Sequence, residues 1–323
     1  MLITWPDYDE TAAHLGLTLN DAGLRCRLAP KRGERTQADM LELVGHASAA
    51  IVSTDPFDSA VLASAPELRV IARVGVGVDS IDLDAATAHG VAVTVTPGAN
   101  ESTVADHTVA LMLAVIRRVC EHDASVRSGG WDRTGRHTPW LLSGARVGLI
   151  GYGRIGQLVA RRLIGFDVRL LATELATIDD PAVEQVELDE LLSSCDVISL
   201  HVPLTPATRG VIGERELALV RPGAVLINTA RGGIVDDRAL TAALRDGQLR
   251  GAGLDVFALE PPGSSELLTM PNVVLSPHNA GLSVRSVDDM LRRATASVVD
   301  VLSGRAPADL ANPAVVERLG LNA

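Results

Sequence analysis

Three segments carry side chains suited to moving a proton and holding an anion. They are Asn228-Thr229-Ala230-Arg231-Gly232-Gly233, the run from Leu254 and Asp255 to Glu260-Pro261-Pro262, and Ser276-Pro277-His278-Asn279-Ala280-Gly281. Each follows a short β-branched run, and open α/β sheets take their ligands beyond the carboxyl ends of their strands. Arg231 offers a planar cation that grips a carboxylate as a fork. His278 is the one side chain type that exchanges a proton near neutral pH unaided. A carboxylate at Glu260, reaching the far ring nitrogen, orients that imidazole and stabilises its imidazolium form. Taken singly, each has a bland account: a helix-capping arginine, a turn histidine, a solvated glutamate. Together they are what hydride reduction of a 2-oxo acid requires, namely a cation for the carboxylate, a proton donor for the carbonyl oxygen and a group to tune it.

A hydride needs a carrier, and one motif supplies its seat. Gly151-Tyr152-Gly153-Arg154-Ile155-Gly156 follows the apolar run 145–150 and opens an amphipathic stretch over 155–163. Alone, a GxGxxG is weak. Between a strand and a helix it is a dinucleotide fingerprint: Gly151 for the tight turn, Gly153 for close approach of a pyrophosphate, Gly156 for helix–strand packing. The next run, 168–173, ends before Glu174. A carboxylate there accepts from ribose hydroxyls and repels a 2′-phosphate, which favours NAD over NADP.

The elements that must position these residues are legible as alternation. Runs at 2–4, 25–28, 49–53, 69–73 and 91–95 read as strands of a first α/β module. Those at 145–150, 168–173, 196–201, 224–229, 252–256 and 273–277 read as six strands of a second, doubly wound parallel sheet. Between the modules, 102–119 reads as one apolar helix, and 128–140 as a polar, Gly-rich connecting arm. A last helix is expected over 286–302.

Composition narrows the chemistry. The 323 residues are 47% hydrophobic but only 2% aromatic, so Ala, Val and Leu must do the packing. The net charge of −11 argues against a nucleic-acid partner. A single lysine, Lys31, stands against 28 arginines, which leaves little for Schiff-base or P-loop chemistry. Cys26, Cys120 and Cys195 form no CxxC pair, so neither a metal site nor a disulfide framework is expected, and a reducing cytoplasm fits best. The N-terminus lacks the basic start and apolar core of a signal peptide, and no run is long enough to span a bilayer.

At this point the motifs resemble the D-isomer-specific 2-hydroxyacid dehydrogenases, nearest the phosphoglycerate dehydrogenase branch. GYGRIG, HVPLTPATRG (201–210), NTARGGIVDDRAL (228–240), GAGLDVFALEPP (251–262) and SPHNAG (276–281) carry the likeness, joined by the stretches 73–91 and 96–113. The resemblance implies an α/β fold with a doubly wound parallel-sheet dinucleotide-binding domain (97–283). That domain is inserted into a second, smaller flavodoxin-like substrate domain (1–96 and 284–323). It implies NAD as cofactor and a small 2-hydroxy or 2-oxo acid of the hydroxypyruvate, glyoxylate or 3-phosphoglycerate type. Arg231, Glu260 and His278 fall on the family's catalytic positions. Arg154, Ile155, Glu174, His201, Pro203, Thr229, Ala230, Asp255, His278 and Ala280 fall on cofactor-contacting ones. Asp255 is expected beside the nicotinamide carboxamide, and His201 and Pro203 on the adenine side. The backbone N–H groups of Val74, Gly75 and Val76, with Arg231, are expected to hold the substrate carboxylate.

Some features depart from that pattern. The family more often has Asp where Glu174 stands, preceded by an aromatic rather than Thr173. Ser53-Thr54-Asp55-Pro56 holds no cation for a phosphate where phosphoglycerate enzymes often place one. The chain ends at Ala323 without the regulatory extension of some members, so serine feedback is not expected. Two other readings share the framework: a phosphite dehydrogenase-like enzyme, and a dinucleotide-sensing corepressor-type binding protein. A formate dehydrogenase would call for glutamine in place of Glu260. The apolar 102–119 stretch and the arm after it imply a homodimer, by resemblance.

Overall fold

The computed structural model describes residues 1–6, 8, 13–31, 33, 35–131, 133–135 and 138–322. The chain divides into two units, one made of Met1–Asn100 and Leu282–Ala323, the other of Glu101–Gly281. The divisions expected from the sequence are 96/97 and 283/284.

The first unit is a five-stranded parallel sheet in the order β2-β1-β3-β4-β5. The strands are β1 (Leu2–Ile3), β2 (Arg27–Leu28), β3 (Ala49–Val52), β4 (Val70–Arg73) and β5 (Ala92–Thr94). This is the flavodoxin-like order. Every residue of β3, β4 and β5 is buried, as strands covered on both faces must be. One cover comes from the far end of the chain. Helix Val284–Leu302 lays Met290, Leu291, Ala294, Val298 and Val301 into the cluster that holds Ile3, Ile51, Val70 and Ala92. It is launched by a capping box in which Ser283 and Ser286 exchange hydrogen bonds.

The second unit is a seven-stranded parallel sheet in the order β12-β11-β10-β9-β6-β7-β8. Its strands are β6 (Arg146–Ile150), β7 (Arg169–Thr173), β8 (Val183–Gln185), β9 (Val197–Leu200), β10 (Ala224–Asn228), β11 (Leu249–Leu254) and β12 (Val273–Leu275). The strand order reverses between β6 and β9, the point at which doubly wound sheets receive a dinucleotide.

Two expectations need correction here. The sheet has a seventh strand, because β8 lies at the edge and only Val183 of its three residues is buried, too little to leave a pattern. The apolar stretch is two helices, Glu101–Ile116 and Val119–Arg127, separated at Arg118, whose φ of +53° is left-handed.

The first of those helices is committed to its own unit. Val104, Ala105, Thr108, Val109, Leu111, Met112 and Ile116 are buried. A Cβ on Gly253 of β11 would lie 3.1 Å from Leu111 Cβ, and one on Gly251 would lie 2.8 Å from Val115. The glycines let the helix sit directly on β11. Among the described residues no helix is long and apolar enough to cross a membrane.

Candidate active site

Beyond β6 the chain turns at Gly151 with φ +95°, and a Cβ there would come within 2.7 Å of the His201 carbonyl oxygen. A Cβ on Gly156 would overlap the Gly151 carbonyl. Both glycines are therefore demanded by the protein itself. Gly153 is different. Its φ of −72° suits any residue, and a Cβ would meet nothing within 4 Å. Nothing in the protein itself requires glycine at that position, and the open space beside it lets a ligand approach the backbone.

Helix Arg154–Leu163 starts at Gly153 with no side-chain cap and no acid in its first turn. The helices that start after Asp58, Asp82, Asp236 and Ser283 are all capped by side chains. Open N–H groups at a positive helix end, facing a space kept clear by glycine, fit a pyrophosphate. Arg154 is exposed, 3.7 Å from the Glu101 carboxylate, and Ile155 packs against the cluster under the sheet.

Glu174 follows β7, half-buried. Its Oε2 accepts from the Tyr152 N–H and its Oε1 from the Leu175 N–H, both at 2.8 Å. These bonds hold the carboxylate beside the glycine turn. Each oxygen keeps capacity for a second donor such as a ribose hydroxyl. Tyr152 donates its hydroxyl to Asp180 at 2.7 Å, and burial together with that bond pushes the phenol up to about 12. After β9, burial pushes the His201 imidazole down to about 4, leaving it neutral and 3.0 Å from the Ser199 hydroxyl. Pro203 is exposed, its carbonyl accepting from Thr208 at 2.5 Å.

The loops after β10, β11 and β12 meet one another. Asn228 folds the first: its Oδ1 accepts from the Ala230 N–H at 3.0 Å and its Nδ2 donates to the Arg231 carbonyl at 2.9 Å. Thr229 is buried, and Arg231 Nη1 donates to the Ala230 carbonyl at 2.7 Å. Any side chain at Gly232 would overlap the Phe257 carbonyl, so glycine is what lets this loop lie against the next.

Asp255, wholly buried, organises the third loop. It accepts from the Ser276 hydroxyl (2.6 Å), the Asn279 N–H (3.0 Å) and the Ala280 N–H (2.9 Å), and its carbonyl accepts from the His278 N–H (2.8 Å). His278 sits in that turn at φ +52°. Its Nδ1 lies 2.6 Å from Glu260 Oε2, and Glu260 Oε1 accepts from the Phe257 N–H at 3.1 Å. Burial raises the Glu260 carboxyl, but the His278 hydrogen bond and charge, the Phe257 N–H and Arg231 together outweigh it, so the net shift is down. Glu260 is thus ionised at neutral pH. An ionised acceptor puts a proton on Nδ1 of His278 and leaves Nε2 as the exchanging nitrogen.

Val74, Gly75 and Val76 lie in the other unit, just past β4. The Val74 N–H donates to Val52 at 2.9 Å, and the Gly75 N–H to the Thr96 hydroxyl at 3.0 Å. Two of the three expected anion donors are therefore spent inside the unit. The Val76 and Gly77 N–H groups have no partner among the described residues. Arg73 wraps the same loop, donating to the Val74 and Gly77 carbonyls.

Sequence reasoning misses Gly232, although it is a visible glycine within a quoted motif. It also misses Ser276 as the partner of Asp255. Lys31 and Arg35 are equally out of its view beside the 53–56 loop. Lys31 Nζ donates to the Thr54 hydroxyl at 2.5 Å, and Arg35 pairs with the buried Asp55 at 3.2 Å. Among the described residues no group of three or more His, Cys, Asp or Glu could hold a metal.

Known proteins match this arrangement. Residues 109–280 fit the D-isomer specific 2-hydroxyacid dehydrogenase, NAD binding domain. A glyoxylate reductase of Thermococcus litoralis is 40% identical over 299 residues, covering 89% of each protein. A D-3-phosphoglycerate dehydrogenase of Mycobacterium leprae is 41% identical over 278 residues, of which this chain spans about half the length (52%). The crystal structure of a Thermus thermophilus protein, TT0316, superposes with a TM-score of 0.88 at 38% identity, over 96% of this chain and 99% of that one.

A doubly wound sheet with an open glycine turn after β6 is a dinucleotide-binding domain, and the family match makes it an NAD-binding one. The chain belongs to the D-isomer specific 2-hydroxyacid dehydrogenase family, and is an NAD-dependent enzyme of that class.

Proposed function

We propose that this enzyme reduces a small, unphosphorylated 2-oxo acid of the glyoxylate or hydroxypyruvate type with NADH, giving the D-2-hydroxy acid. The observation that carries the proposal is the 2.6 Å contact between His278 and Glu260, with Arg231 close enough to lower the Glu260 carboxyl. NADH, when bound, supplies the hydride. Gly151, Gly153, Arg154, Ile155 and Gly156 hold its pyrophosphate on the helix end, and Glu174 takes the ribose hydroxyls. Thr229, Ala230, Asp255 and Ala280 shape the loops around the reacting end, and His201 and Pro203 line the adenine side. His278 gives the proton from Nε2 to the nascent alkoxide oxygen while Glu260 holds Nδ1 and balances the imidazolium charge. Arg231 is the cation for the carboxylate. Unit 1 is the substrate domain on this reading and unit 2 the cofactor domain.

One observation favours a second reading, a 3-phosphorylated substrate. The Lys31 ammonium stands on the Thr54 hydroxyl, in the loop where the sequence alone showed no cation. Steady-state rates with NADH and glyoxylate, hydroxypyruvate, pyruvate or phosphohydroxypyruvate separate the two. The first reading expects the highest kcat/KM with glyoxylate or hydroxypyruvate. A preference for phosphohydroxypyruvate that Lys31→Ala abolishes would replace it with the second.

We also infer a homodimer built on the stretch after the first apolar helix. Val119, Val126, Trp131 and Leu141 expose their side chains there, Trp131 to 74%. Helix Val119–Arg127 buries none of its residues within the chain.

A further inference from the structure

The loops that carry Arg231, Glu260 and His278 share a neighbour outside the motifs that define the site. It is the His107–Thr108 turn of helix Glu101–Ile116. His107 Nε2 lies 2.8 Å from Ser276 Oγ and 3.7 Å from Asp255 Oδ1. Ser276 already donates its only proton to Asp255 at 2.6 Å. It must therefore accept from His107, which places a proton on Nε2 whether that ring is neutral or charged. The next residue repeats the device. Thr108 donates to the Val104 carbonyl at 2.8 Å, so the 2.8 Å contact with Thr229 is a bond that Thr108 accepts.

Two consecutive helical residues thus fasten the loop after β10 through Thr229, and the loops after β11 and β12 through Ser276 and Asp255. The helix has little room to drift, because Leu111 and Val115 rest on the glycines of β11. Asp255 in turn holds the Asn279 and Ala280 N–H groups, which directly follow the left-handed His278.

We propose that His107 is a positioning residue for catalysis. Through Ser276 and Asp255 it sets the orientation of the His278 turn, touching neither substrate nor cofactor. The inference rests on reading His278 as the proton donor. A merely structural histidine would affect stability, and its loss would not single out the chemical step.

The test compares His107→Leu, His107→Gln, Ser276→Ala and the His107→Leu/Ser276→Ala double variant. It measures kcat, KM, NADH affinity and Tm. His107→Leu should lose about 10- to 100-fold in kcat, the cost of a donor misplaced by about an ångström, with KM and NADH binding little changed. His107→Gln keeps an N–H donor and should recover most of the rate. Ser276→Ala breaks the same chain from its other end and should match His107→Leu. The double variant should be no slower than either single one. Wild-type kcat in both His107→Leu and Ser276→Ala would overturn the proposal, as would additive losses without rescue by glutamine. If His107→Leu fails to fold, Ser276→Ala and His107→Gln decide alone. If the wild-type protein turns over no 2-oxo acid with NADH, it is the functional reading that fails. The positioning claim is then judged by the His278 imidazole NMR signals, expected single and sharp in wild type and exchange-broadened in Ser276→Ala. Unchanged signals in that variant would end it.

Discussion

Glu260 Oε2 and His278 Nδ1 stand 2.6 Å apart, and the same carboxylate is anchored at its other oxygen by the Phe257 N–H. The pair is held at both ends, so the imidazole cannot rotate its exchanging nitrogen away without breaking a charge-assisted bond.

Removing the imidazole tests the proton donor. His278→Ala should lower reductive kcat by roughly 10²- to 10⁴-fold, the usual contribution of a positioned acid–base group. NADH binding, followed by quenching of protein fluorescence, should be little altered. Near-normal turnover would exclude His278 from the role.

The lowered Glu260 carboxyl makes a prediction about acid stability. A group whose pKa falls on folding stabilises the native state above its unfolded value of about 4.5 and loses that contribution as pH drops through the folded value. Wild-type Tm should therefore fall more steeply below about pH 4.5 than that of Glu260→Gln. Parallel Tm curves for the two proteins from pH 7 to pH 3 would contradict the coupling.

Gly153 and Gly156 separate ligand from packing. Gly153→Ala should weaken NADH binding at least about tenfold with Tm unchanged, since its Cβ enters only the space a pyrophosphate would use. Gly156→Ala drives a Cβ into the Gly151 carbonyl and should lower Tm. Calorimetric titration and thermal melts on both variants check the contrast.

Glu174 predicts a preference for NADH over NADPH in kcat/KM. Glu174→Ser should narrow it by removing a carboxylate that repels the 2′-phosphate. Equal use of the two cofactors by the wild-type enzyme would mean that Glu174 plays no such part.

Light scattering tests the inferred dimer. The expected mass is twice that of the chain at micromolar concentration, and Trp131→Glu, which charges an exposed apolar residue, should shift it toward monomer. A wild-type monomer would leave these residues without the assigned role.

Much of this is legible in the sequence alone. Glu260 and His278 can be paired in advance because strand-end residues of neighbouring parallel strands converge, and both sit in distinctive loops. The three glycines of the 151–156 turn announce themselves by spacing. Other features leave no local trace. Ser276 and His107 are 169 positions apart, and His107 lies on a helix whose apolar spacing reads as plain core. The edge strand β8 buries a single side chain. Lys31 and Thr54 lie 23 positions apart, and only the fold brings them together. The hydrogen bonds of the Val74 and Gly75 N–H groups are likewise invisible locally, because they depend on Val52 and Thr96, partners from distant segments.

The C-terminal origin of helix Val284–Leu302 also sets a timetable for biosynthesis. As the chain leaves the ribosome, β1 to β5 emerge first, yet Ile3, Ile51, Val70 and Ala72 lack the cover that Met290, Leu291 and Val298 provide. All seven strands of the inserted unit appear before that helix does, so the later-made unit can finish folding while the earlier-made one waits. Until that helix is made, the sheet face around Ile3, Ile51 and Val70 lacks part of its apolar cover, and that interval is when a chaperone has most to do.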